Sequence, residues 1–324
     1  MTWLITGGAG YIGAHVARAM ADAGERVVAL DDLSAGVPER LPAGIPLVEG
    51  STLDGALVAR VLTEHAVTGV VHLAARKQVA ESVAQPTRYY RENVGGLGTL
   101  LEAVAGAGVE RFVFSSSAAV YGNPDVELIT EDTPCAPVNP YGETKLAGEW
   151  LVRAAGRAHG IATVCLRYFN VAGAGAPELA DTGVSNIVPM VFDRLTRGEA
   201  PRIFGADYPT PDGTCVRDYI HVADLAEAHL AAARGLTGRS PAGDDLTVNI
   251  GRGEGVSVRE LIAVIGEVTG DRRTPVVEGR RPGDAPRAVA SAELAAKTLG
   301  WRARLGVPEM VESAWRGWRA RLAR

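Results

Sequence analysis

The sequence predicts an α/β fold, a doubly wound parallel sheet covered by helices on both faces, with a smaller region appended towards the C-terminal end. Three observations carry this prediction. From residue 2 to about residue 170, short apolar strands alternate with amphipathic helical segments, the pattern of buried parallel strands joined by crossover helices. A glycine-rich turn, Gly7-Gly8-Ala9-Gly10-Tyr11-Ile12-Gly13, separates the first strand from the first helix. After residue 170 the alternation stops, and Gly, Pro and polar residues take over.

Strands are expected at 2–6, 26–31, 45–49, 69–73, 111–115 and 161–166, where short apolar runs lie between turn signals. Helices are expected at 12–24, 54–65, 93–107 and 141–159, where helical periodicity is clearest. The stretch 171–215 holds one short helical piece near 189–197. A strand at 218–222 follows, then a helix capped by Asp224 and running to about Arg234. Last come a strand at 246–251, a helix capped by Ser257, and the loop Gly279-Arg280-Arg281-Pro282-Gly283-Asp284. At 324 residues the chain exceeds the usual single core. The expected division sets residues 1–170, with the strand and helix near 215–235 returning to them, against a second region of 171–214 and 236–324.

Hydrophobic residues at 47% and charged residues at 22% describe an ordinary globular enzyme or binding protein. The net charge of -5 argues against nucleic acid as the main partner, because phosphate binding needs a concentrated basic surface. Cys135, Cys165 and Cys215 are far apart and show no metal-ligand spacing, which points to free thiols in a reducing compartment and to no bound metal. No apolar run reaches membrane-spanning length and the start shows no basic leader, so a cytoplasmic protein is expected.

The glycine turn lets the backbone approach a pyrophosphate, whose charge the helix N-terminus meets. Gly7, Gly10 and Gly13 are therefore expected at a dinucleotide. Eighteen residues past Gly13 the second strand ends in Asp31-Asp32. A carboxylate there accepts from both ribose hydroxyls and repels a 2′-phosphate, which favours NAD over NADP. The small residues of Leu73-Ala74-Ala75, at the end of another strand, permit close approach of the cofactor, and Lys77 follows within reach. His72, inside that strand, reads as a satisfied core histidine, and Asn93 as a cap or backbone tether.

The run Ser115-Ser116-Ser117 ends a buried strand, so its hydroxyls should face the ligand crevice at the carboxyl ends of the strands. A nucleophilic serine would need a histidine, and none lies in this stretch, so hydrogen bonding is the expected role. Tyr141 and Lys145 stand four apart and project from one helix face. A fixed ammonium beside the phenol favours phenolate and makes Tyr141 a proton shuttle. The arginines of the 279–284 loop suit a diphosphate, because the guanidinium fork pairs with phosphate oxygens.

Together these residues resemble the extended short-chain dehydrogenase/reductase family, a Rossmann-type group. The likeness to its UDP-hexose 4-epimerases rests on longer stretches: 77–83, 115–122, Leu166-Arg167-Tyr168-Phe169-Asn170, and 203–222 with its Asp218-Tyr219-Ile220-His221-Val222. The resemblance implies reversible, NAD-dependent C4 epimerisation of UDP-glucose and UDP-galactose through a 4-keto sugar. Tyr141 would move the 4-hydroxyl proton, Ser117 would bond the 4-oxygen, and Lys145 would hold the nicotinamide ribose and keep the Tyr141 pKa low. Tyr11, Ile12, Asp31, Lys77 and Phe169 would line the NAD site. Lys77, Asn170, Asn186, Ile187, Phe204, Arg217, Arg281 and Asp284 would contact the UDP-sugar. A homodimer through the helices at 93–107 and 141–159 is implied as well.

Three departures from the family pattern stand out. Ser51-Thr52 replace an aspartate-containing pair at the adenine, where a hydroxyl can still accept the bond. Ala119 replaces a frequent threonine. Ala288 stands at a gate beside the sugar 2-substituent; a small side chain there would admit an N-acetyl group, extending activity to the UDP-N-acetylhexosamine pair. Alternatives are a UDP-pentose 4-epimerase or related UDP-sugar enzyme, and a non-catalytic NAD-binding protein, although the latter would be expected to lose Tyr141, Lys145 or Ser117. Ala118-Ala119 supply none of the acidic residues a dehydratase needs.

Overall fold

The computed structural model describes residues 1–236, 245–281 and 283–323. Pro282 of the arginine loop thus lies outside the described residues. In chain order the elements are β1 (Thr2–Thr6), α1 (Tyr11–Asp22), β2 (Arg26–Asp31), β3 (Leu47–Glu49), α2 (Gly55–Glu64), β4 (Gly69–His72), α3 (Val79–Ala84), α4 (Pro86–Tyr89), α5 (Gly96–Gly106), β5 (Arg111–Ser115), α6 (Pro140–His159) and β6 (Ala162–Tyr168). Then follow β7 (Asn170–Ala172), α7 (Ile187–Thr196), β8 (Arg202–Phe204), β9 (Val216–His221), α8 (Val222–Gly235), β10 (Asp245–Ile250), β11 (Gly255–Ser257), α9 (Val258–Thr269), β12 (Val276–Glu278), β13 (Arg287–Ala288), α10 (Glu293–Leu299) and α11 (Val307–Leu322).

The main sheet has seven parallel strands in the order β10-β6-β5-β4-β1-β2-β3. Strand order reverses between β1 and β4, which opens a crevice at their carboxyl ends. Alternation along β1 explains the layering: Trp3 and Ile5 enter one core with α1 and α8, while Leu4 enters the other with α2 and α5. Phe192, Leu261, Ile265, Met310 and Trp318 form a separate core in the C-terminal region.

Three local expectations change in space. The strand near 216–221 does not return to the main sheet; β9 pairs instead with β7, β11 and β13. The strand that does return is β10, beside β6, and α8 packs beneath it against α1. The helix cap there is His221, whose Nδ1 accepts from the Ala223 amide at 3.0 Å, and not Asp224. Asp224 Oδ2 accepts instead from the amides of Arg304 and Leu305, fastening the last part of the chain to α8. The helix expected at 93–107 is irregular at its start, with a π-helical turn over Tyr90–Gly95 before α5. Ser257 does cap α9, in a reciprocal box with Glu260.

Candidate active site

The glycine turn packs onto the end of β4 at the switch point. Gly7 has φ +71°, and a Cβ on it would lie 2.8 Å from the Ala74 amide nitrogen. A Cβ on Gly13 would lie 2.0 Å from the Gly7 carbonyl oxygen, so the first turn of α1 sits directly on the loop. Gly10 caps α1 without a side-chain acceptor, leaving the helix N-terminal amides for an anion. Asp31, 7% exposed, accepts from the amides of Ala9 at 3.0 Å and Leu33 at 2.9 Å. Burial raises its pKa against the pull of those amides. A cradle that any Cβ would fill, with a carboxylate at the end of the next strand, fits the pyrophosphate and ribose of a dinucleotide.

The other cofactor candidates divide. Leu73, Ala74 and Ala75 border the crevice as half-buried residues, and Lys77 is exposed at its rim. Asn93 tethers this strand end as expected: its side chain bonds both the amide and the carbonyl of Arg76, and also Thr144 Oγ1. Tyr11 gives its hydroxyl to the Gly173 carbonyl at 2.6 Å, so its ring braces the following region. Ile12 packs on the core against α8. Asp32 is exposed and its carboxylate binds its own turn through Ser34, so Asp31 is the buried carboxylate of the pair. Ser51 accepts from the Leu53 amide at 3.2 Å, and Thr52 is buried against Gly96. The Phe169 ring is buried with Val120, Tyr121 and Leu146.

The run of serines splits in a way the sequence reading did not foresee. Ser115 and Ser116 are fully buried and turn away from the crevice. Ser115 Oγ lies 2.7 Å from His229 Nε2, a histidine brought in by α8, while His229 Nδ1 bonds the Leu225 carbonyl. Ser116 Oγ donates to Glu149. Only Ser117 stays at the crevice, near enough to Tyr141 to hold its pKa down and accepting from the Ala119 amide at 3.2 Å. His72 bonds Thr6 Oγ1 at 2.7 Å and is a satisfied core residue.

Asn139 caps α6 by accepting the Gly142 amide, and Pro140 occupies its first turn, which sets Tyr141 at the helix start. One turn on, Lys145 is 3% exposed, donates to the Ser115 carbonyl at 2.8 Å and lies 5.2 Å from the Phe114 ring centre. Burial pushes Lys145 down to about 8, with Glu149 opposing. Burial drives the Tyr141 pKa upward and Ser117 opposes it, while the Lys145 ammonium donates to the Ser115 carbonyl.

Across the crevice the second region gathers the remaining candidates. Asn170, Asn186 and Ile187 line one small cavity with Tyr219. Asn186 Nδ2 donates to Asp181 Oδ2. The Arg281 guanidinium lies 3.7 Å above the Phe204 ring centre, and Arg217 pairs with Asp284 at 3.6 Å. Arg217 also faces Ala288 across the β9–β13 ladder. Ala288 packs on the cluster that includes Ala118, Val120 and Phe169, next to the loop carrying Ser117.

A dinucleotide cradle and a Ser-Tyr-Lys group at the same strand ends combine hydride and proton transfer, and an enzyme so built is a short-chain dehydrogenase/reductase in the wide sense. More narrowly, the chain belongs to the NAD dependent epimerase/dehydratase family, which it matches over residues 3–251. It is 48% identical over 302 residues to the UDP-glucose 4-epimerase of Azospirillum brasilense, covering 92% of this chain and 86% of that one. A UDP-glucose 4-epimerase from Brucella ovis, solved in complex with NAD, superposes with a TM-score of 0.91 at 39% identity, covering 97% of each chain. One from Stenotrophomonas maltophila, with bound NAD and formylated UDP-arabinopyranose, gives a TM-score of 0.94 at 38% identity, covering 100% of this chain and 99% of that one.

Proposed function

We propose that this protein is an isomerase that interconverts UDP-glucose and UDP-galactose by NAD-dependent epimerisation at C4. The observation that carries the reading is the joining of the Ser115–Ser117 strand end to the start of α6, where Lys145 donates to the Ser115 carbonyl beside Tyr141, together with a second region that assembles Phe204, Arg217, Arg281 and Asp284. NAD held by the glycine turn and Asp31 would supply the hydride acceptor and donor for C4. Tyr141 removes the 4-hydroxyl proton and restores it at the end, Ser117 holds the 4-oxygen, and Lys145 holds the cofactor ribose. Phe204, Arg217 and Arg281, with Asn170 and Asn186, grip the uridine diphosphate. The hexose itself must be held loosely enough to present both faces of the 4-keto sugar. Proton NMR of purified protein with UDP-galactose and no added cofactor tests this. UDP-glucose anomeric signals should grow to equilibrium; no change even with NAD supplied would move the reading to UDP-pentoses.

Ala288 sets the substrate range in this reading. Its small side chain, beside the loop that carries Ser117, leaves room for a 2-acetamido group, so the UDP-N-acetylhexosamine pair is also a substrate. Ala288→Tyr is expected to lower kcat/KM for UDP-N-acetylgalactosamine at least roughly 10-fold while sparing UDP-galactose, since a clash acts on one substrate only. Equal effects on both sugars would sink the gate.

The functional unit is inferred to be a homodimer built on α5 and α6. Trp150 on α6 is 60% exposed, and Val79 and Val83 of the adjacent α3 are 48% and 62% exposed, an apolar surface suited to burial against a second copy. Light scattering should give twice the chain mass, and Trp150→Glu should shift it towards the monomer. Cys135, Cys165 and Cys215 are unpaired, which supports a reducing, cytoplasmic setting. Among the described residues no helix is long and apolar enough to cross a membrane.

A further inference from the structure

Glu149 is a buried charge that the mechanism above does not use. It lies on α6 four residues beyond Lys145 and eight beyond Tyr141, so the three side chains share one helix face. It is fully buried. Its Oε1 accepts from Ser116 Oγ at 2.5 Å and from Arg167 Nε at 2.8 Å, and its Oε2 accepts from Arg167 Nη2 at 2.6 Å. Arg153 approaches the same Oε2 at 3.6 Å. Taking such a pair out of water is costly, and an apolar pair of similar volume would serve packing as well. Its place beside the Tyr141–Lys145 pair supplies another reason for the charge.

Lys145 and Glu149 hold consecutive residues of the strand end: Lys145 bonds the Ser115 carbonyl and Glu149 bonds the Ser116 hydroxyl. Ser117 is the next residue. The ionisable groups around Lys145 come from every neighbouring element. Glu149 on α6 and His72 on β4 act on or feel Lys145 directly, Arg167 on β6 lies beyond Glu149, and His229 on α8 and Tyr168 on β6 reach the same strand end through Ser115. His72 and His229 are held neutral by burial. Burial lowers the Lys145 pKa and the Glu149 carboxylate opposes that.

We propose that Glu149 is a positioning residue for the reaction: it pins Ser116 while Lys145 pins Ser115, so that Ser117 presents its hydroxyl to Tyr141, and it places a buried carboxylate one helical turn from Lys145. This deepens the epimerase reading and rests on it for the catalytic part alone. Removing the charge discharges Lys145 at lower pH. Removing only the Ser116 bond leaves the charge in place and loosens Ser117.

The chain has only three lysines, Lys77, Lys145 and Lys297, so the titration of Lys145 can be read directly. Protein labelled with ¹³C at the lysine ε-carbon should show three side-chain signals, and Lys145→Arg assigns the one that titrates lowest. In Glu149→Gln the Lys145 midpoint should fall by about one pH unit, because an opposite charge within a few ångströms is lost. The alkaline limb of kcat for UDP-galactose should move down with it, and kcat should fall roughly 10- to 100-fold with KM little changed, as for a misplaced catalytic group. Ser116→Ala should lower kcat without moving the Lys145 midpoint, and Ser116→Thr should restore it. Ser116→Ala also serves if Glu149→Gln, which strips Arg167 of its partner, does not fold. An unmoved Lys145 midpoint in folded Glu149→Gln overturns the proposal, as does wild-type kcat in Ser116→Ala. The lysine titration needs no turnover, so an inactive wild type would defeat the epimerase reading and leave Glu149's hold on Lys145 to be decided separately.

Discussion

Tyr141→Phe should abolish interconversion of UDP-galactose and UDP-glucose for practical purposes, lowering kcat by roughly 10²- to 10⁴-fold, the usual worth of a positioned acid–base group. The change removes one oxygen and leaves the ring that fills the start of α6, so the fold, the cofactor and KM should be little affected. Loss of the phenol oxygen should cost stability only about 1 kcal/mol, the usual worth of a hydrogen-bonding group. The wild-type pH profile should reflect two opposed titrations. Burial raises the Tyr141 pKa, so ionisation of the phenol increases as the pH climbs. Burial lowers Lys145 to about 8, so above that pH its ammonium is lost and the rate should fall. Anomeric proton NMR of the variant decides the matter: kcat within tenfold of wild type would mean that another group moves the proton.

Gly13→Ala should empty the cofactor site. The added methyl would lie 2.0 Å from the Gly7 carbonyl oxygen and 2.9 Å from Gly8 Cα, both of them backbone atoms with no rotamer by which to yield. Either α1 lifts from the turn or the turn opens, and both outcomes spoil the cradle that Gly7, Gly10 and Asp31 form. Overpacking of this kind costs about 1–3 kcal/mol in stability. The larger effect should be on NAD: the purified variant should lack the ultraviolet signature of bound dinucleotide and should epimerise nothing without a large excess of it. Gly106→Ala is the control, since a Cβ there meets nothing within 4 Å. Wild-type NAD content in Gly13→Ala would remove the glycine turn from the site.

Where interactions are local, the chain could be read directly. The short apolar run of β1, the glycine turn before α1 and the Ser257 cap all act within a few residues of one another. The Tyr141–Lys145 spacing belongs with them, because helix geometry alone places both on one face. Ser51, Asp32 and Asp224 show the limit of that reading. Short polar side chains can satisfy a nearby amide or reach a distant one, and sequence does not say which. Asp32 closed its own turn through Ser34, whereas Asp224 reached the amides of residues 304 and 305.

By itself, then, the sequence determined the α/β class, the glycine turn before α1 and the Tyr141–Lys145 spacing, since each is written in the period or spacing of neighbouring residues. Only the tertiary structure decided that β10 and not β9 completes the main sheet. It alone turned Ser115 to His229 and Ser116 to Glu149, leaving Ser117 at the crevice. The physical reason is that a buried polar group must find a partner, and which one it finds depends on elements that meet only when the chain has folded; the pairing of β10 with β6 likewise joins segments far apart in sequence.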